Sequence, residues 1–478
     1  METAIWWIRR DLRLSDNRAL WAALDAARYV VPVFVLDPEI LKAPDVGPSR
    51  LAFLFSGLRQ LDSSLRVRGS YLVVRYGPPV EQLKLLIDEC RAGCVYAESD
   101  LSPYARRRDE QVGQTIPLRL IGSSVLVPPG DVVKSDGLPY TVYTPFKRAW
   151  RTRMFPLSPP DWPIDTPECI RTPQGIAQCP IPASPPRSAS GTWEAGEDAA
   201  HRALSAFIAG DTPPIHHYAT MRDRMDLDGT SCLSPYFHLG ILSARQAISE
   251  AMDSYLRAPN AEARRAIDAW IDELIWREFY GHILYHFPDV LVQSFRPDLR
   301  AVPWQDDEDV FAAWREGRTG YPIVDAGMRQ LLRTGWMHNR ARMITASFLV
   351  KDLLVDWRHG ARYFMQQLVD GDLAANNGGW QWVAGTGTDA APFFRIFNPV
   401  VQGRKFDPNG DYVRRWAPEL ADVPTRYIHA PWQMPPLVQE DCGCVVGRHY
   451  PAPIVDHRQA RERALDVYRQ ARDRSKTL

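Results

Sequence analysis

Over residues 1–150, short apolar runs alternate with longer segments of helical period. Residues 4–8, 30–36, 71–76 and 95–97 each read as a brief buried strand, too short for a helix and rich in β-branched and aromatic side chains. Between them, residues 49–66 carry Leu51, Leu54, Leu58, Leu61 and Leu65 on one helical face. Strands separated by helices pair in parallel, which predicts a doubly wound α/β domain over 1–150. No Gly-x-Gly-x-x-Gly follows the first strand, so a dinucleotide-type phosphate turn is not expected there. Residues 156–186 then hold ten prolines in 31 positions. Such chain lacks backbone donors and is stiff and extended, so 151–195 reads as an interdomain linker. Beyond Glu194 the pattern is almost wholly helical, interrupted by turns such as the Asp407 to Gly410 run. The expected fold class is therefore α/β plus all-α, the second domain covering 196–478.

The bulk numbers narrow the picture. With 45% hydrophobic and 24% charged residues in 478, the chain is a globular protein of two or three domains. No apolar run approaches the ~18 residues of a membrane span, and the N-terminus lacks a basic, apolar, small-residue leader. Seven cysteines form no paired framework; with an odd count, a cytoplasmic location is expected. Cys442 and Cys444, with His449 nearby, lack a second ligand pair at usable spacing, so no metal site is expected. Fifty-seven basic residues balance fifty-seven acidic ones. Any nucleic-acid binding must then rest on a local basic patch.

Chemistry concentrates in the helical half. Ten of the 16 tryptophans lie between 270 and 432. They read either as a Trp-heavy core or as stacking faces for planar ligands and unstacked bases. In 269–280, Trp270, Glu273, Trp276, Arg277 and Tyr280 fall within one arc of ~120° at helical period. In 335–343, Trp336, Asn339, Arg340 and Met343 are expected to share a second such face. Two faces of this kind suit the walls of a pocket. The hydroxyl-rich turn at 229–236 leads towards a helix, where amides and hydroxyls can converge on a phosphate or merely cap the helix. Asp370 and Asp372 have no third hard ligand nearby, which favours pairing with arginine or a heterocycle N–H.

Five motifs closely resemble the photolyase/cryptochrome family: GTSCLSPY at 229–236, ELIWREFY at 273–280, TGYPIVDAGMR at 319–329, GWMHNR at 335–340 and DGDLAANNGGWQW at 370–382. The N-terminal WWIRRDLRLSDN at 6–17 resembles that family's start, so the likeness spans nearly the whole chain. It looks most like the bacterial class I cyclobutane-pyrimidine-dimer photolyases. That resemblance implies FAD in the helical domain and an antenna chromophore in the α/β domain. Carried over by position, the FAD contacts are Tyr218, Thr230, Ser231, Cys232, Leu233, Ser234, Arg277, Arg342, Asp370, Gly371, Asp372 and Asn376, with Asp370 pairing with Arg342. A damaged-DNA pocket is implied for Arg222, Glu273, Trp276, Tyr280, Asn339, Arg340, Met343, Trp382 and Gln402, with Arg404 and Lys405 as further phosphate contacts. Glu273 and Asn339 would satisfy the dimer's polar edges. Trp380, Trp357 and Trp304 would form an electron path.

The resemblance further implies light-driven repair of pyrimidine dimers in UV-damaged DNA by a monomer. A base lesion must leave the stack to be reached, and damaged bases leave most cheaply. A cryptochrome photosensor would share the fold and the flavin without repair; the full pocket set favours repair. A non-catalytic nucleotide- or RNA-binding protein is the alternative of another class. A (6-4) repair enzyme would be expected to show a histidine pair where this chain has His338-Asn339. For the antenna, Arg50 and Asp100 match a deazaflavin-type (8-HDF) pocket. Tyr104-Ala105 stands where folate binders (methenyltetrahydrofolate) show Asn-Glu, so deazaflavin is favoured.

Overall fold

A computed structural model describes residues 1–155, 164–186 and 193–475. The chain divides into two compact units. One comprises Met1–His216, Ser231–Pro288 and Val369–Ala374; the other comprises His217–Thr230, Asp289–Leu368 and Ala375–Leu478.

The first unit is built on a five-stranded parallel sheet of order β3-β2-β1-β4-β5. Its strands are β1 (Thr3–Ile8), β2 (Tyr29–Leu36), β3 (Val73–Tyr76), β4 (Val95–Ser99) and β5 (Leu118–Ser123). β1 is buried at every position, as the unbroken apolar run required of a central parallel strand. Helices Arg18–Ala26, Pro48–Val67, Pro79–Cys90 and Pro103–Thr115 make the crossovers. Side chains start two of them: Asn17 accepts from Leu20 N–H and Ser102 from Ala105 N–H, each satisfying an orphan donor of the first turn.

Two local differences from the sequence reading have plain causes. β5 carries no apolar run: two of its residues are exposed and none is buried, so it has no fully buried face. β3 begins at Val73 instead of residue 71. Leu72 N–H is taken by the Asp62 carboxylate and so is not available to the ladder, while the Tyr71 hydroxyl donates to Pro173 O.

The first part of the proline-rich stretch, 156–163, lies outside the described residues. Residues 164–186 contain no regular element, yet they dock along the sheet. Val30 N–H donates to Arg171 O and Cys179 N–H to Val74 O, while Ser70 and Thr172 share a buried hydroxyl pair at 2.6 Å. Chain laid there covers the open β3 edge, which would otherwise template pairing with another strand.

The long helix Ala261–His286 completes this unit. Its cap Asn260 accepts from Ala263 N–H. It is stapled to the loop after β5: buried Glu278 accepts from Leu126 N–H at 2.7 Å and Val127 N–H at 3.3 Å, and from Trp150 Nε1–H. One turn further on, His282 Nε2 meets Val127 O at 2.9 Å.

The second unit is helical, its main core drawn from Pro322–Thr334, Asn339–Ser347, Trp357–Gln367 and Leu373–Ala384. The Asn339–Ser347 helix runs into a π turn, Phe348–Asp352. There the fully buried Lys351 donates to Ala384 O at 2.8 Å and sits 3.7 Å from the Tyr468 ring centroid.

Candidate functional site

At the switch point between β1 and β4, where doubly wound sheets collect ligands, the loops leaving both strands line a cavity. Its walls include Arg10, Asp100, Ser102, Ser124, Arg277 and Asp372. Arg10 organises it. Its Nη2 donates to Asp372 Oδ2 at 2.5 Å and its Nε to His238 O at 3.0 Å. Burial alone would raise the Asp100 carboxyl, but Arg10 and the Ser102 N–H hold it below its ordinary value. His238, whose Nδ1 lies 4.0 Å from Asp372, is pushed down to about 4 by burial and by Arg10 and Arg50, so it is neutral at pH 7. Arg50 donates to Gly371 O at 2.7 Å. Its charge is thus directed at the 370–372 turn, and Asp100 shares its surroundings with Arg10.

The hydroxyl-rich turn also folds as a cradle. Cys232 takes φ +51°, which turns the chain sharply before the short helix Ser234–His238. Ser234 Oγ donates to Asp370 Oδ2 at 2.6 Å, and Trp270 Nε1 donates to Ser231 Oγ at 3.2 Å. The carboxylates of Asp370 and Asp372 are therefore both held by side chains of this unit, one by a hydroxyl and one by a guanidinium. Hydroxyls, fixed carboxylates and flanking cations fit the pyrophosphate, ribitol and ring N–H groups of FAD. Arg277 donates to Ser124 O at 2.8 Å and to Glu278 at 3.3 Å.

The aromatic arc of the long helix is narrower than the sequence indicated. Trp270 is buried against Phe207 and faces inward, whereas Glu273, Trp276, Arg277 and Tyr280 are half-buried. The second face needs a larger correction. Residues 335–338 are not helical: Gly335 adopts φ +67° and ends the helix Pro322–Thr334. His338 then caps the next helix, its Nδ1 accepting from Arg340 N–H at 3.1 Å. Trp336 thus stands outside the helix that carries Asn339, Arg340 and Met343. Accepting at Nδ1 requires a neutral imidazole, and burial pushes His338 down to about 4.

Within the second unit, Asn339 is exposed, while Arg340, Arg342 and Met343 are half-buried. Arg340 is paired with Asp223, Nη2 to Oδ1 at 2.7 Å, and lies 4.3 Å over Phe406. Arg342 donates from Nε to Met337 O. Tyr218 is buried beneath the Arg222 guanidinium, 5.7 Å from its ring. Asn376 donates to Ala361 O at 3.0 Å, which fixes its amide. Gln402, Arg404 and Lys405 share the helix Pro399–Phe406, the last two exposed. Trp380 packs edge-on to Phe364 at 4.9 Å and Trp314 at 6.1 Å. Trp357 is buried, and Trp304 is half-buried at 6.0 Å from Tyr468. Trp382 is half-buried.

Several residues were invisible in the sequence. Arg10 and Asp372 are 362 positions apart, and no local pattern links them. Glu278 looks like any solvated helical carboxylate, and Asp223 follows Arg222 without a motif. Among the described residues no cluster of three or more potential metal ligands occurs, and no helix is long and apolar enough to cross a membrane.

Comparison with known proteins gives the family. Residues 4–166 match the DNA photolyase family model, and 270–470 match the FAD binding domain of DNA photolyase. A deoxyribodipyrimidine photo-lyase of Salmonella typhimurium is 42% identical, with 99% of each chain covered. The Escherichia coli protein of that name is 40% identical at the same coverage. A class III photolyase from Agrobacterium tumefaciens superposes with TM-score 0.91 at 39% identity, covering 99% of this chain and 98% of its own. A Synechocystis cryptochrome superposes with TM-score 0.87 at 30% identity, covering 98% of this chain and 99% of its own. The chain belongs to the photolyase/cryptochrome family, and its full-length likeness to deoxyribodipyrimidine photo-lyases makes it an enzyme of that group with an FAD-binding domain.

Proposed function

We propose that this protein repairs cyclobutane pyrimidine dimers in DNA under blue light, acting as a monomer in the cytoplasm. The full-length identity of about 40% to relatives bearing the photo-lyase name carries the reading. In it, Ser231, Ser234, Asp370, Asp372 and Asn376 hold FAD, with Tyr218, Thr230, Cys232, Leu233, Arg277, Arg342 and Gly371 completing the contacts. When bound and reduced, FAD supplies the photochemistry, lending one electron to the dimer and recovering it, so the reaction has no net redox change. The chain's own residues do the rest. Trp276 and Trp382 give apolar faces to the extruded dimer, and Glu273 and Asn339 hydrogen-bond its edges. Tyr280, Met343 and Gln402 border the same ligand. Glu273 would be the polar group beside developing charge, and a preorganised group there lowers a barrier without reorganisation. Trp380, Trp357 and Trp304 are proposed as the path that returns oxidised FAD to its active form. A deazaflavin antenna is proposed near Arg50 and Asp100.

The test is direct. Pre-reduced protein under blue light is expected to restore intact thymines in a dimer-containing oligonucleotide, and Glu273→Ala to split fewer dimers per absorbed photon while retaining flavin. Intact dimers after illumination of the wild type would instead favour a photosensor, the reading supported by the likeness to the Synechocystis cryptochrome.

DNA binding is expected to be local and salt-sensitive, despite zero net charge. Arg222, Arg340, Arg404 and Lys405 are the proposed phosphate contacts, each neutralised phosphate adding roughly 0.7–0.9 to the slope of log K against log salt. Arg340→Ala should weaken binding and flatten that slope. Because Asp223 competes for the same guanidinium, Asp223→Asn should tighten binding and leave the slope at least as steep. Fluorescence anisotropy across a salt series reads both, and equal slopes for wild type and Arg340→Ala would remove Arg340 from the interface.

A further inference from the structure

Trp276 has a partner that none of the sequence motifs includes. The helix Tyr143–Met154 begins with Tyr143, whose ring lies 3.6 Å from Trp276, centroid to centroid, at an interplanar angle of 5°. Tyr143 is buried and Trp276 only half-buried, so tyrosine forms the inner layer of the pair and indole the outer one. The tyrosine is itself fixed. Its hydroxyl donates to Asp272 O at 2.8 Å, the carbonyl one turn before Trp276 in the long helix. Phe279 meets the Tyr143 ring edge-on at 5.9 Å and Trp276 edge-on at 5.7 Å. Lys147 and Arg151, one and two turns along from Tyr143, both pair with the Asp272 carboxylate at 2.8 and 2.9 Å. The two helices are thus locked at the level of the stack.

We propose that Tyr143 is a positioning residue for lesion recognition: it backs Trp276 so that the indole presents its other face to a pyrimidine dimer as a fixed plane. This rests on the reading of Trp276 as a lesion-stacking ring. An unbacked indole has rotamer freedom that must be lost when the dimer docks, and that loss subtracts from affinity. Edge contacts alone do not set the ring's plane. Parallel stacking does, and burial of Tyr143 keeps water from replacing it.

The experiment uses the flavin-loaded full chain and two oligonucleotides, identical except that one carries a single cyclobutane thymine dimer. For Tyr143→Leu and for Tyr143→Met, which reaches further along the vacated slot without a ring face, the preference for the dimer over undamaged DNA should fall about three- to tenfold, the range of one aromatic pair. Tyr143→Phe keeps the stack and should stay within about twofold. Affinity for undamaged DNA and its salt slope should not change, since Tyr143 contacts no phosphate in this scheme. A merely structural role would lower flavin content and melting temperature while leaving the preference of the folded fraction intact. That result in both Leu and Met variants would overturn the proposal. A wild-type protein with no dimer preference would overturn the repair reading itself, and this role with it.

Discussion

Glu278→Ala is expected to cost the fold about 3–5 kcal/mol, the range for removing one partner of a buried charged network. The carboxylate is 1% exposed and accepts from two loop amides, the Trp150 indole and Arg277. Alanine would leave the buried Val127 N–H and Trp150 indole N–H without this acceptor, each such group costing about 1–3 kcal/mol, and would remove the carboxylate from Leu126 N–H and Arg277. The staple between the long helix and the loop after β5 would open, taking Arg277 and Ser124 with it. Glu278→Gln should do much less harm, because its amide oxygen can still accept from the Leu126 and Val127 N–H groups. Burial pushes the Glu278 carboxyl above its ordinary value despite Arg277, so the neutral form is the one the fold tolerates best. The sign follows: above the unfolded carboxyl pKa the folded state retains a proton that the unfolded state has released, and stability falls as pH rises. The deficit of Glu278→Gln relative to wild type should therefore shrink as pH is raised from about 4.5. Urea unfolding at several pH values measures it. An alanine variant within about 1 kcal/mol of wild type would show that the staple contributes little.

Gly360→Ala should damage both stability and flavin photoreduction. A Cβ built on Gly360 falls 2.2 Å from Trp380 Cη2, 2.5 Å from its Cζ3 and 2.6 Å from Leu349 Cδ2. Trp380 is buried and wedged between Phe364 and Trp314, so its rigid ring cannot swing aside as a flexible chain end would. Either the helix Trp357–Gln367 backs away or the indole is displaced, at about 1–3 kcal/mol for overpacking. The first move shifts Trp357, which starts that helix, and the second shifts Trp380, so either changes the spacing within the proposed Trp380, Trp357 and Trp304 path. Photoreduction of oxidised FAD should slow, while chemically pre-reduced enzyme still splits dimers. Unchanged photoreduction in a folded Gly360→Ala protein would exclude Trp380 from that path.

Sequence alone determined the α/β-then-helical order, because short apolar runs and period-3.6 apolar patterns are local properties of the chain. It yielded four of the five strands and the placement of Glu273, Trp276 and Tyr280 together on one helix, whereas the docking of the proline-rich segment along the β3 edge came only from the structure. It also singled out the 229–236 turn and the aspartates at 370 and 372 as polar groups out of place in a plain core. It failed where the deciding force was not local. β5 lacks a pattern because none of its residues is buried. Residues 335–338 keep helical spacing, yet Gly335 at positive φ and the His338 cap break the helix between Trp336 and Asn339. Only tertiary structure paired Arg10 with Asp372, Asp223 with Arg340 and Tyr143 with Trp276. These contacts join segments from about a hundred to more than three hundred residues apart, a scale on which the chain's periodicity carries no information. Burial then gave those pairs their weight, since a charge or an aromatic face removed from water must be matched by a partner that folding alone brings to it.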